Sequence, residues 1–356
     1  MPPPVPALLA AALGLLLLLA LAHFLSSWPF ACRPVSLEQA HALVTGGSSG
    51  IGLEVAKELA RRGVRAISLV ARDARKLAQA KEMVEAEAGG EVAVDAISVD
   101  VTDAKQVQKA VDDAAKKHGA PAVVVCAAGA ARPKAFEDAT VEDFHDTMAL
   151  NFFGAVHVAK VRATRLRASR DHKSPQLTPA RERQAAVPLL KQHPRSRLLF
   201  VSSMAGQVGI YGYTSYAPSK YALRGFAEAL AMELTHLGVR VTVAYPPDTD
   251  TPGLAQENAT KPPETVKLSE GSGLWKSDVV ARQLVDGMAA GKVSVNYGID
   301  GLMLGTLTVG MGRASSAFDA IKEVALMGIL RAVALAYVTS FYATVRSMAY
   351  QRAKSS

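Results

Sequence analysis

The chain has 356 residues, enough for one large or two small domains around a sizeable core. A composition of 49% hydrophobic, 20% charged and 6% aromatic residues excludes a disordered tail, a collagen and a coiled coil, and two cysteines (Cys32 and Cys126) exclude a disulfide framework. The net charge of +8 is concentrated in residues 161–184, so the rest of the chain is only mildly basic and no nucleic-acid partner is expected.

No Asp, Glu, Lys or Arg precedes Arg33, and residues 5–25 read VPALLAAALGLLLLLALAHFL. About 20 apolar residues at 1.5 Å rise span the hydrocarbon core of a bilayer. A cleaved signal peptide is the rival, but the leading MPPPVP carries no cation and the apolar run is long for one. The expectation is an uncleaved membrane anchor over 1–32, with Arg33 on the side that favours a cytosolic body.

From His41 short β-branched runs alternate with longer helical stretches. Strands are predicted at 41–45, 65–70, 92–99, 122–126, 197–202 and 240–244, and helices at 51–62, 75–88, 104–118 and 219–237. This alternation implies an α/β fold, a doubly wound parallel sheet with helices on both faces and ligands beyond the carboxyl ends of its strands.

The segment Thr45-Gly46-Gly47-Ser48-Ser49-Gly50-Ile51-Gly52 lies between the first strand and its helix. Glycines there allow a tight turn and a close approach of backbone to a pyrophosphate, which the helix N-terminus stabilises. At the end of the second strand no carboxylate is present to meet a ribose 2′-hydroxyl. Arg72 and Lys76 offer cations instead, with Ser48 and Ser49 in the loop, a set that suits a 2′-phosphate and hence NADP(H).

Asn151 is expected to open a helix. Tyr216 and Lys220, four residues apart, share a helix face, and Ser203 precedes Tyr216 by thirteen positions. A neighbouring ammonium is expected to lower the phenol's pKa, giving a pair that transfers a proton while a hydride moves.

Together TGGSSGIG, Asp100, Asn151, Ser203, Tyr216 and Lys220 resemble the short-chain dehydrogenase/reductase family over residues 38–290. The resemblance implies a Rossmann-type catalytic domain, with Tyr216 as general acid, Lys220 tuning it and holding the nicotinamide ribose, and Ser203 bonding the carbonyl oxygen. Asn151 would hold a relay water. Gly46, Ser48, Ser49 and Gly50 would meet cofactor phosphates and ribose, Arg72 and Lys76 the 2′-phosphate, and Asp100 the adenine amino group. Within the family, Pro246-Pro247-Asp248-Thr249-Asp250-Thr251-Pro252-Gly253, followed by Glu257 to Pro262, is similar to reductases of long-chain 3-keto sphingoid bases. That similarity implies NADPH as cofactor, a lipid substrate in sphingolipid synthesis and the cytosolic face of the endoplasmic reticulum. Two other readings share the motifs: a membrane-bound reductase of retinoid or steroid carbonyls, and a catalytically silent NADP(H)-binding membrane protein.

The chain departs from the family in two places. The usual Asn-Asn-Ala-Gly is Cys126-Ala127-Ala128-Gly129. Residues 161–184, with Pro175, Pro179 and seven cations, interrupt the helix that holds Asn151, whereas joining Lys160 to Ala185 restores an amphipathic pattern. Both a genuine surface loop and an unspliced segment fit this insertion, and it bears on any homo-oligomer that uses this helix. The tail, 291–356, is apolar over 302–311 and again over 324–345 apart from Arg331. An Arg at mid-span costs about 2.5–3.5 kcal/mol on insertion, which leaves a re-entrant hairpin, an interfacial helix, a substrate-entry surface and a packed core helix as readings.

Overall fold

A computed structural model describes residues 14–16, 19, 34–160 and 196–355. The expected anchor lies outside the described residues except for 14–16 and 19, which are helical, and the insertion 161–184 lies wholly outside them.

Residues before the cofactor-type glycine loop form β1 (His41–Thr45), and the loop leads into α1 (Gly50–Arg61). The chain continues through β2 (Ala66–Ala71), α2 (Ala74–Glu87), β3 (Ala93–Ser98), α3 (Ala104–His118) and β4 (Val123–Cys126). Asp73 and Asp103 start α2 and α3 by accepting hydrogen bonds from backbone amides of the first turn, satisfying donors that have no partner within the helix. Next come α4 (Val141–Met148), β5 (Arg197–Val201), α5 (Tyr216–Leu234) and β6 (Arg240–Ala244). Short elements follow: β7 (Thr249–Asp250), α6 (Pro252–Asn258), α7 (Pro263–Ser269), β8 (Trp275–Lys276), α8 (Ser277–Ala290), β9 (Ser294–Val295) and α9 (Gly298–Leu307). The chain closes with α10 (Ala317–Ser355).

Among the described residues, seven strands form one sheet in the order β3-β2-β1-β4-β5-β6-β9, every pairing parallel. The central strands are buried on both faces, which is why they read as unbroken apolar runs. Leu59, Leu69 and Leu284 pack one face; Leu43, Phe200, Leu223 and Leu234 pack the other. The strand order reverses between β1 and β4, opening the crevice in which such sheets bind ligands. The doubly wound sheet expected from the alternation is therefore present.

Two expectations are corrected. Asn151 does not open a helix: α4 begins ten residues earlier behind a Thr140/Asp143 capping box, passes through a π turn at Ala149–Phe153 and continues helically over 154–160. The extra residue in that turn interrupts the regular face and leaves Asn151 buried. The packed core helix is excluded for residues 324–345 of the tail. α10 is one unbroken 39-residue helix, about 58 Å long at 1.5 Å per residue, and only 6% of its most apolar window is buried. It is long and apolar enough to cross a membrane by length and composition. α5 also begins at Tyr216, three residues before the predicted start, because Pro218 falls in the first turn where no amide hydrogen is needed.

Candidate active site

A cavity of about 580 Å³ opens at the strand-order reversal and runs from the glycine loop past Tyr216 to α10. Its first end is backbone. Gly46 has φ +71°, and a Cβ there would stand 2.7 Å from the Ala128 amide nitrogen; a Cβ on Gly52 would stand 2.3 Å from the Gly46 carbonyl oxygen. The loop is thus folded against β4 and its own helix as tightly as backbone permits, leaving Ser48, Ser49 and Gly50 on the cavity wall. Arg72 and Lys76 line the same end, as does Asp73. The Asp73 carboxylate takes the Arg75 and Lys76 amides at 2.9 and 3.1 Å, so its charge is committed to capping α2.

Tyr216, Lys220 and Ser203 meet in the middle of the cavity. Ser203 lies two residues beyond β5 in an extended conformation and its Oγ accepts from the Ala205 amide at 3.2 Å, which leaves its hydroxyl hydrogen free to point elsewhere. Lys220 is 4% exposed; its Nζ donates to the Val201 carbonyl at 3.0 Å and lies 5.6 Å from the centre of the Tyr216 ring. Burial pulls this ammonium down to about 8.

The expected lowering of the Tyr216 pKa is not found. Burial pushes the phenol above its ordinary range, the charge of Glu257 adds to this and Asp248 adds less, while the hydrogen bond with Ser203 opposes them. Desolvation of the phenolate is the largest cause, so the group stands protonated at neutral pH. Cys126, at the end of β4, is buried, with its thiol pushed up to about 12, and is unsuited to nucleophilic work.

Asn151 is 1% exposed and lies behind the cavity wall. Its Oδ1 accepts from the Ala130 amide at 2.9 Å, and its Nδ2 donates to the Ala130 carbonyl and to Ser219 Oγ, both at 3.0 Å. Gly129 lies against both groups, since a Cβ there would be 2.9 Å from Asn151 Oδ1 and 3.1 Å from Lys220 Nζ. Asp100 is not brought to the cavity: its Oδ1 accepts from the amide and hydroxyl of Thr102 at 2.9 and 2.8 Å, although its neighbours Val99 and Val101 do line the wall.

The far end of the cavity brings together residues that lie far apart in the sequence. Tyr213, Asp248 and Glu257 close around Tyr216, while Tyr337 and Phe341 of α10 supply apolar wall. The sequence marks Asp248 and Glu257 as parts of a family-like stretch and the tail as a substrate-entry reading; that they meet around Tyr216 comes from the fold.

Comparison with known proteins agrees with this geometry. The sequence model of the short chain dehydrogenase family matches residues 40–172 and 181–262. A 3-dehydrosphinganine reductase of Danio rerio is 41% identical over 322 residues, covering 90% of each chain. A 3-ketodihydrosphingosine reductase of Mus musculus is 40% identical over 349 residues, 98% of this chain and 97% of the relative. Among solved structures, a short-chain dehydrogenase from Burkholderia cenocepacia in complex with NADP is 26% identical, covers 72% of this chain and 92% of its own, and aligns with a TM-score of 0.56. With its glycine loop, its seven parallel strands and its Ser203, Tyr216 and Lys220 gathered in one cavity, the chain belongs to the short-chain dehydrogenase family.

Proposed function

We propose that the chain reduces the C3 ketone of 3-dehydrosphinganine with NADPH, giving sphinganine for sphingolipid synthesis at the cytosolic face of the endoplasmic reticulum. The observation that carries this reading is the single cavity joining the glycine loop and Arg72 to Tyr216 and then to the apolar face of α10. The similarity to the two sphingoid-base reductases supports the substrate.

In this reading the catalytic body is residues 38–290, with membrane-associated ends at 1–32 and 291–356. The cavity fits the cofactor by its chemistry: packed glycine backbone at one end, two cations beside it and the Lys220 ammonium further in. Ser48, Ser49 and Gly50 would hold its phosphates and ribose and Arg72 and Lys76 its 2′-phosphate, whereas the Asp100 carboxylate, bound to Thr102 outside the cavity, gives no support to an adenine contact. When bound, NADPH supplies the hydride.

The rest is work for the protein's own side chains. Tyr216 is held in its acid form by burial and by Glu257, and it delivers its phenolic proton to the former ketone oxygen. Ser203 donates a hydrogen bond to that oxygen as negative charge develops on it. Lys220 would hold the ribose and return a proton to the tyrosine through a water relay, with Asn151 backing the wall from outside the cavity. Asn151 also fixes the Ala130 backbone through two hydrogen bonds, and this keeps Gly129 and Lys220 in place.

Purified full-length protein assayed with NADPH against 3-dehydrosphinganine, retinal and a steroid ketone tests the reading. Preferential reduction of the sphingoid ketone is expected; preference for retinal or the steroid would assign the site to those carbonyls instead.

The cations predict cofactor choice. Arg72→Ala should weaken NADPH binding by about 10–100-fold, as expected for losing a hydrogen bond to a charged group, and NADH binding far less. Titrating both cofactors against the variant checks this, and equal losses would show that Arg72 does not read the 2′-phosphate.

The apolar ends predict membrane behaviour. The protein should remain with membranes through alkaline carbonate extraction, and protease added to intact microsomes should digest the catalytic body. Full protection of that body would put it in the lumen.

A further inference from the structure

Beside Tyr216 the cavity carries a charge that reduction of a plain ketone does not use. Lys261, with a side chain only 2% exposed, sits between two carboxylates, its Nζ 3.1 Å from Asp248 Oδ2 and 3.1 Å from Glu257 Oε1. Two carboxylates against one ammonium leave one negative charge in surplus. Glu257 also accepts a hydrogen bond from the buried Tyr213 hydroxyl, and the Tyr213 ring lies 5.4 Å from that of Tyr216. The lysine is sealed off, whereas the carboxylate side chains keep 34% and 14% of their surface and line the cavity. Their charge reaches Tyr216, where both raise the phenol's pKa.

The cavity is therefore divided by charge. Arg72 and Lys76 stand at the glycine-loop end, and Lys220 is held on the Val201 carbonyl near the Tyr216 ring. The carboxylate that Lys261 leaves unmatched stands on the Tyr213 side of the proton donor. Beyond it the wall turns apolar at Leu268, Met303, Leu304 and Phe341. A carboxylate drawn partly out of water costs free energy until a cation meets it, and the rigid Lys261–Tyr213 brace prevents it from swinging out to solvent. A ligand that satisfies all three regions has a ketone at Tyr216, a cation beside that ketone and an alkyl tail.

We infer that Asp248 and Glu257, braced by Lys261 and Tyr213, form an ammonium subsite that selects a ketone bearing a primary ammonium on the adjacent carbon. The inference rests on the reductase reading for the identity of the ketone and deepens it by naming the side chains that read the amine. A charge-assisted hydrogen bond in such a site favours the ammonium over a neutral amide by about 10–100-fold. An acylated amine loses this contact and brings bulk against the brace.

The test uses the full chain in detergent micelles with NADPH, comparing kcat/KM for 3-dehydrosphinganine and for its N-acetyl counterpart. The wild type should prefer the free amine by about tenfold or more, the lower bound for one charge-assisted contact. Glu257→Gln and, separately, Asp248→Asn should shrink that ratio severalfold, with Glu257→Asp restoring part of it. A ratio that stays at its wild-type value in both variants overturns the subsite, including the case in which both substrates lose equally because the brace is merely structural.

Equilibrium binding of sphinganine and N-acetylsphinganine reads the same contact without turnover. A preference for sphinganine that disappears in Asp248→Asn supports the subsite even in a chain that reduces neither ketone, a result that would sink the reductase reading alone. Equal binding of the two by the wild type overturns the subsite.

Discussion

Replacing Tyr216 with Phe is expected to slow ketone reduction by about 10²–10⁴-fold, the usual worth of a positioned general acid. The ring would still fill its place against Tyr213, and the glycine loop, Arg72 and Lys76 would be untouched, so NADPH affinity should remain nearly unchanged. The pH profile of the wild type bears on the same point. Because burial and Glu257 hold the phenol above its ordinary pKa, the acid form persists through neutral pH, and ionisation of Tyr216 should not limit the rate there. Single-turnover hydride transfer in a stopped-flow instrument decides the matter. A near wild-type rate in Tyr216→Phe would remove the tyrosine from the proton step.

Gly46→Ala should be the most damaging small change in the cofactor loop. The residue has φ +71°, where a side chain costs about 1–3 kcal/mol, and its Cβ would overlap backbone atoms of Ala127 and Ala128 at 2.7–2.8 Å. Overpacking that cannot be relieved by a rotamer change adds about 1–3 kcal/mol. The combined effect corresponds to a fall in Tm on the order of 10 °C for a catalytic domain of this size. NADPH affinity should fall with it, because relief of the overlap moves the loop that carries Ser48 and Ser49. Thermal melts with and without NADPH measure both, and a variant that melts like the wild type would mean that the β4 backbone yields easily.

The sheet was legible in the sequence because its strands are buried on both faces: HALVT and RLLFV are short apolar runs that end at glycine or serine, and each lies in its strand to within a residue. The cofactor loop and the Tyr216–Lys220 pair were legible because their spacing is local. The turn at Asn151 was not, since the one extra residue of a π turn leaves no mark on composition. The sense of the Tyr216 shift was misread for a related reason. Lys220 is four residues away and visible, but the burial of the ring and the approach of Glu257, forty-one positions on, are products of the fold. The tail was ambiguous because apolar residues on every side of a helix, interrupted by Arg331, suit a core helix as well as a membrane helix. Exposed Val324, Ile329 and Tyr342 set the core helix aside.

The wall that α10 lends to the cavity has a consequence for selectivity. Tyr337, Val338 and Phe341 belong both to that wall and to a helix whose remaining faces, at Ile329, Val333 and Leu335, are bare of protein. An alkyl chain leaving Tyr216 along this helix soon passes from protein to whatever surrounds the helix. Each further methylene, worth about 0.8 kcal/mol when it leaves water, is then solvated by that surrounding phase in the bound and the unbound lipid alike. Among the described residues, α10 closes no end of the cavity against which tail length could be measured. With the tail in lipid, as proposed above, homologous substrates that differ by several carbons should therefore share nearly one kcat/KM once their concentrations are expressed per unit of membrane rather than per unit of water.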